Sequence, residues 1–253
     1  MSKLPLIEAH GLNMRYPTGR LALQGASLTV HPGELAVILG ANGCGKSTML
    51  RIIAGMQKPS GGEVRVAGQD ITRLNGRALS EARMNLGMVF QHAHLVKRRS
   101  VVANVATGTL GRHRTMFTAL GGLPACEFPH AMACLEQVGL TPYARQRAST
   151  LSGGQAQRAA IARALAQRPR ALLADEPVAS LDPEAAEEVM RLLRGLASGH
   201  GMAVLCVLHQ PELARRYADR LLGLRQGAMV FDAPPGHVPA AAINDLYEGF
   251  RPS

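Results

Sequence analysis

The chain has no tryptophan and only nine phenylalanines and tyrosines together in 253 residues. A stacking platform for single-stranded nucleic acid needs aromatic faces, so nucleic acid is not an expected partner. Lysine is scarce as well. Lys3, Lys46, Lys58 and Lys97 are all there is, and arginine supplies the rest of the 28 basic residues. Set against 18 acidic residues they give a formal net charge of +10. The basic residues are scattered except at Lys97-Arg98-Arg99, which reads as a solvated basic surface turned toward a membrane. The four cysteines, Cys44, Cys126, Cys134 and Cys206, contain no CxxC pair. Their spacing suggests neither a zinc site nor a disulfide framework, and all four read as buried free thiols. Long apolar runs are missing too. Leu35 to Leu39 and Ala203 to Leu208 are far shorter than the roughly 20 residues of a membrane span. The opening Met-Ser-Lys-Leu-Pro lacks an apolar core and a cleavage site, so the expectation is a chain that stays in the cytoplasm.

What is present is a folding composition, 47% hydrophobic and 18% charged, which excludes wholesale disorder. Leu35 to Leu39 is a short continuous apolar run entering a glycine-rich turn, the pattern of a buried parallel strand. Leu86 to Phe90, Ala171 to Ala174, Ala203 to Leu208 and Leu221 to Leu224 read as further core strands. Lys46 to Gly55, Gln155 to Gln167 and Pro183 to Ala197 read as helices, the last opened by its proline. Strands alternating with helices predict an α/β fold with a parallel sheet. Ser100 to Thr150 lacks a strong strand run, holds Gly121-Gly122 and Pro124, and reads as a helical insertion with one amphipathic helix at Ala131 to Val138.

Three motifs carry chemistry. Gly40, Ala41, Asn42, Gly43, Cys44, Gly45, Lys46, Ser47 and Thr48 match GxxxxGK[ST] between a strand and a helix. The glycines let backbone amides converge on phosphates, and the helix N-terminus adds positive potential. Lys46 is expected at the β- and γ-phosphates and Ser47 on Mg²⁺. Second, Ala171-Leu-Leu-Ala-Asp175-Glu176 is an apolar strand ending in carboxylates. Asp175 suits a magnesium ligand at the sheet edge, and Glu176 suits the base that activates water. Third, Leu151-Ser152-Gly153-Gly154-Gln155 stands before a helix and offers a hydroxyl, amides and a positive helix end to an anion. Ser152 precedes Asp175 by 23 residues.

With that third motif, the chain resembles the ATP-binding cassette ATPases over almost its whole length. The resemblance implies a P-loop NTPase core with a parallel sheet, an N-terminal antiparallel β-subdomain and an inserted α-helical subdomain. The core would take about 1–92 and 165–225, the helical part 93–164 and a tail 226–253. It further implies that Tyr16 stacks on adenine, that Gln91 joins Mg²⁺ and senses a transmembrane partner, that Asp182 of Ser180-Leu181-Asp182 crosses a dimer interface, and that His209 meets the γ-phosphate. Two copies would sandwich two ATP molecules, each site combining one chain's phosphate loop with the other's Leu-Ser-Gly-Gly-Gln. Such a homodimer is expected at the cytoplasmic face of the plasma membrane, driving permease subunits and, through them, a periplasmic solute-binding protein.

Outside the shared motifs, Phe90-Gln-His-Ala-His-Leu-Val-Lys-Arg-Arg-Ser-Val-Val-Ala-Asn-Val105 and Tyr217-Ala-Asp-Arg-Leu-Leu-Gly-Leu-Arg225 look like the phosphonate-importer branch. Arg99 departs from it where leucine is usual, and so does Cys44 in the phosphate loop. Phosphite and phosphate stay open as solutes. So does a cassette that remodels the envelope or releases lipoprotein, although those relatives tend to be shorter between Asn104 and Leu151.

Overall fold

The computed structural model describes residues 4–113, 118 and 122–247. Six strands form the central sheet: β3 (Leu35–Leu39), β6 (Leu86–Val89), β7 (Ala171–Asp175), β8 (Ala203–Val207), β9 (Arg220–Arg225) and β10 (Ala228–Ala233). Their order is β10-β9-β3-β8-β7-β6, parallel throughout except for β10. Every residue of β3 and β8 is buried. Leu35, Val37 and Leu39 enter one apolar cluster while Ala36 and Ile38 enter another on the opposite face. A strand covered on both faces has no place for a polar residue, which is why its sequence is a continuous apolar run. Truncating Ile38 to alanine would cost about 2–5 kcal/mol.

A second, antiparallel sheet packs beside this core in the order β2-β1-β4-β5, built from β1 (Ile7–Arg15), β2 (Leu21–Val30), β4 (Gly61–Val66) and β5 (Gln69–Asp70). Eight α-helices lie among the described residues: α1 (Lys46–Ile53), α2 (Gly76–Arg83), α3 (Val101–Ala106), α4 (Phe128–Gln137), α5 (Gly153–Ala166), α6 (Pro183–His200), α7 (Pro211–Tyr217) and α8 (Ala240–Asn244). Helices α3, α4 and α5 pack on one another, joined by Val101, Val105, Leu135 and Ile161.

Several bounds differ from the sequence reading for local reasons. Helix α5 begins two residues before Gln155, because Ser152 and Gln155 close a reciprocal capping box that satisfies the first free amides. Helix α6 runs on to His200, where left-handed Gly201 ends it. Helix α1 stops at Ile53, ahead of left-handed Gly55. Helix α4 starts at Phe128, with Pro129 in its first turn. Cys126 is exposed while the other three cysteines are buried, so the reading of four buried thiols is corrected for that one. Of the Gly121-Gly122 pair, Gly121 lies outside the described residues.

Candidate active site

The strands β3, β8 and β7 are neighbours in the sheet, so their C-terminal ends open side by side. The phosphate loop leaves β3, Glu176 follows β7 and His209 follows β8. This is the edge where open parallel sheets hold ligands. Gly45 shows why the loop is glycine-rich. Its φ is 116°, and a Cβ there would lie 2.3 Å from the carbonyl oxygen of Ala22. Only a residue without a side chain lets the loop pass that close to β2.

A cleft of about 260 Å³ opens over this loop, lined by Lys46, Ser47, Thr48 and Glu176 on one side and Tyr16, Arg20 and Arg51 on another. Lys46 is 4% exposed, and its ammonium donates to the carbonyls of Gly40 at 2.8 Å and Ala41 at 2.9 Å. Burial holds its pKa below the ordinary lysine value. A buried ammonium with only carbonyl partners lacks a full counter-charge, so it suits a phosphate oxygen. The Ser47 hydroxyl donates to Asp175 Oδ1 at 3.0 Å. Burial pushes the Asp175 carboxyl up, and the Ser47 bond opposes that. Two hard oxygen donors from different elements thus meet in a partly desolvated corner, a donor set that fits Mg²⁺. Tyr16 reaches Thr48, hydroxyl to hydroxyl at 3.2 Å, and that bond lowers the tyrosine pKa.

Glu176 takes φ 51°, a conformation that costs a non-glycine residue roughly 1–3 kcal/mol and gathers at functional sites. Its Oε1 accepts from His209 Nε2 at 2.5 Å. The two side chains remain 20% and 30% exposed, so water can reach the pair.

Other expected residues stand apart. Gln91 is exposed at the start of the loop after β6 and is not brought to the cleft lining. That loop is nevertheless tied to α5. Gln157, 3% exposed, donates to the Phe90 carbonyl at 3.0 Å. Arg163 donates to the carbonyls of Ala93 and His94, each at 2.8 Å. Ser152 and Gly153 are exposed at the N-terminus of α5. Ser152 Oγ accepts from the Gln155 amide, and Gln155 Oε1 accepts from the Ser152 amide. Asp182 caps α6, accepting from the Ala185 amide at 2.9 Å. The α5 and α6 starts touch. A Cβ on Gly154 would lie 2.8 Å from Ala185 Cβ, and one on Gly153 3.3 Å from Leu181. Ser152, Gly153 and Asp182 therefore share one exposed patch that does not line their own chain's cleft. Sequence reasoning missed Arg20 and Arg51. Arg51 stands four residues after Ser47, one helical turn on, so helix periodicity could have found it. Arg20 lies in a turn, where no spacing marks it.

A family model for the ABC transporter matches residues 23–179. The chain belongs to the ABC transporter family. It is an ABC transporter ATPase. A phosphonates import ATP-binding protein PhnC of Frankia casuarinae is 51% identical over 226 residues, covering 88% of this chain and 89% of the relative. Another PhnC, from Thiobacillus denitrificans, is 43% identical over 96% of this chain and 92% of its own length. Among solved structures, the dimeric post-hydrolysis state of the ATP-binding cassette MJ0796, bound to ADP and Pi, is 31% identical. It overlays with a TM-score of 0.78 over 90% of this chain and 98% of its own. Among the described residues of this cassette, no helix is long and apolar enough to cross a membrane.

Proposed function

We propose that this cassette is the ATP-hydrolysing subunit of a membrane importer for phosphonates or a related phosphorus oxyanion. It works as a homodimer at the cytoplasmic face of the plasma membrane, coupled to permease subunits and through them to a periplasmic solute-binding protein. The carrying observation is the division of one set of phosphate-binding groups between two faces. Lys46, Ser47, Asp175, Glu176 and His209 gather at one cleft, while Ser152 and Gly153 are exposed elsewhere, at the positive end of a helix that can meet a partner's nucleotide. The import direction and the solute are supported by the phosphonate-import relatives, whose match extends well beyond the shared motifs.

In this mechanism the amides of Gly40 to Thr48 and the start of α1 hold the phosphates, Lys46 exchanges its two carbonyls for phosphate oxygens, and Tyr16 backs the adenine. Ser47 and Asp175 would hold Mg²⁺, with Gln91 joining them. When bound, Mg²⁺ neutralises charge on the β- and γ-phosphate oxygens. Glu176 accepts the proton of the attacking water, and His209 fixes the carboxylate's orientation and faces the γ-phosphate. Ser152, Gly153, Gly154 and Gln155 of the second copy complete the charge stabilisation, with Asp182 beside them. The permease docks on the surface formed by Gln91 and the segment to Val105. Arg163 of α5 holds the Ala93 and His94 carbonyls of that segment, so the docking surface and the helix that carries Ser152 are joined.

Uptake of a labelled phosphonate by cells lacking their own importer, given this cassette with its permease and solute-binding protein, tests the reading. Accumulation that needs an intact Glu176 supports it. ATP hydrolysis with no uptake of phosphonate, phosphite or phosphate overturns the solute assignment.

A further inference from the structure

A cluster with no part in nucleotide chemistry lies at the opposite end of α5 from Ser152. His113 follows the 3₁₀ turn Thr107–Arg112, and Cys126 and Glu127 belong to the 3₁₀ turn Ala125–Glu127 that leads into α4. One ligand atom from each of the three lies within 4.8 Å of the others. Glu127 is 8% exposed. Its Oε1 meets His113 Nε2 at 2.7 Å. Its Oε2 is buried without a hydrogen-bond partner, and the Arg168 guanidinium stands off at 3.9 Å. A buried carboxylate oxygen left without a hydrogen bond is costly. This one belongs to a group that faces an imidazole and a thiol, the two side chains best suited to a borderline-soft cation.

We propose that His113, Cys126 and Glu127 form a binding site for a divalent transition metal of the zinc class. The mixed nitrogen, sulfur and oxygen donors match zinc's preference, and three protein ligands leave a fourth position for water. Zinc bonds of about 2.0–2.3 Å in a tetrahedron set donors roughly 3.3–3.8 Å apart. The cluster therefore closes with shifts of about an ångström. His113 and Glu127 open slightly while Cys126, which is exposed, swings in. The Cys126 thiol loses its proton to solvent as the sulfur–metal bond forms. His130 is engaged elsewhere, 3.1 Å from the Ala166 carbonyl and 3.3 Å from Arg168 Nε. Arg112 donates to the Gln167 carbonyl. The metal clip thus joins the turn after α3 to the start of α4 against the C-terminal end of α5.

The full-length protein, stripped with chelator and free of nucleotide, is titrated with Zn²⁺ alone against a chromophoric competitor, and with Co²⁺ for its optical spectrum. We expect one tight equivalent, a sulfur-to-cobalt charge-transfer band, and a melting temperature raised by Zn²⁺. Cys126→Ser, an exposed position that spares the fold and basal ATP hydrolysis, should weaken Zn²⁺ at least tenfold and abolish the band. Glu127→Gln should weaken Zn²⁺ while the band persists with residual Co²⁺. Absence of a stoichiometric equivalent in the parent, or unchanged affinity in Cys126→Ser, would mean that His113 and Glu127 form an ion pair only, and the proposal fails.

Discussion

Glu176 holds a left-handed backbone and a 2.5 Å bond to His209, so its carboxylate is fixed before any water arrives. The amide of Glu176→Gln keeps the shape but accepts no proton. Hydrolysis should fall at least about 100-fold, within the usual range for losing a general base, while ATP affinity stays at the parent level. Single-turnover hydrolysis beside equilibrium binding checks this. Asp175 yields a prediction of opposite sign for stability. Its folded pKa is raised, chiefly by burial. The charged form therefore carries a penalty at neutral pH that is relieved as pH falls through the raised value. Asp175→Asn removes the penalty and leaves Ser47 an acceptor. It should stabilise the nucleotide-free cassette at neutral pH by about 1 kcal/mol, lose that advantage in acid, and abolish Mg²⁺-dependent hydrolysis. Melting curves across pH decide. The loop from Gly40 to Thr48 was legible in the sequence because phosphate chemistry fixes its backbone. Cys126, His113 and Glu127 were not, since their ligand atoms come from separate turns that no spacing rule links.

Helix α5 joins what the sequence keeps apart. Its N-terminus carries Ser152, its middle holds the Phe90 carbonyl through Gln157, and Arg163 holds Ala93 and His94. Gln157→Leu would leave that part-buried carbonyl without its donor and cost about 1 kcal/mol. The isolated cassette should still hydrolyse ATP, but stimulation by a reconstituted permease should drop several-fold. Equal stimulation would show that the Gln91 loop does not work through α5. The core strands were readable as short continuous apolar runs, because both of their faces are covered, and the helices by their composition and the proline or glycine at their ends. The antiparallel sheet was not readable from its residues and came only with the family resemblance. Left-handed Gly11 and the register shifts between Ala9, Leu12 and Met14 break the two-residue alternation of β1, so its apolar positions do not announce a strand.

For the whole molecule, a net charge of +10 becomes useful where it is gathered. Lys97, Arg98 and Arg99 are all exposed. Their loop is held by Asn104, which accepts from the Val96 amide at 2.6 Å and donates to the Val96 and Ser100 carbonyls. A fixed basic loop favours an acidic segment on the permease, and salt should weaken the contact. Arg98→Glu with Arg99→Glu should leave ATP hydrolysis by the cassette near the parent rate yet abolish co-purification with the permease. Complex formation that survives the double reversal would remove this loop from the interface. The central claim is that one nucleotide site is shared between two chains, and its most direct measurement is the molar mass of the Glu176→Gln protein in ATP by light scattering. This protein should be a dimer with ATP and a monomer without it. With Ser152→Arg added, whose side chain fills the space the partner's γ-phosphate needs, the protein should bind ATP yet stay a monomer. A dimer of undiminished tightness from chains carrying Ser152→Arg would contradict the account.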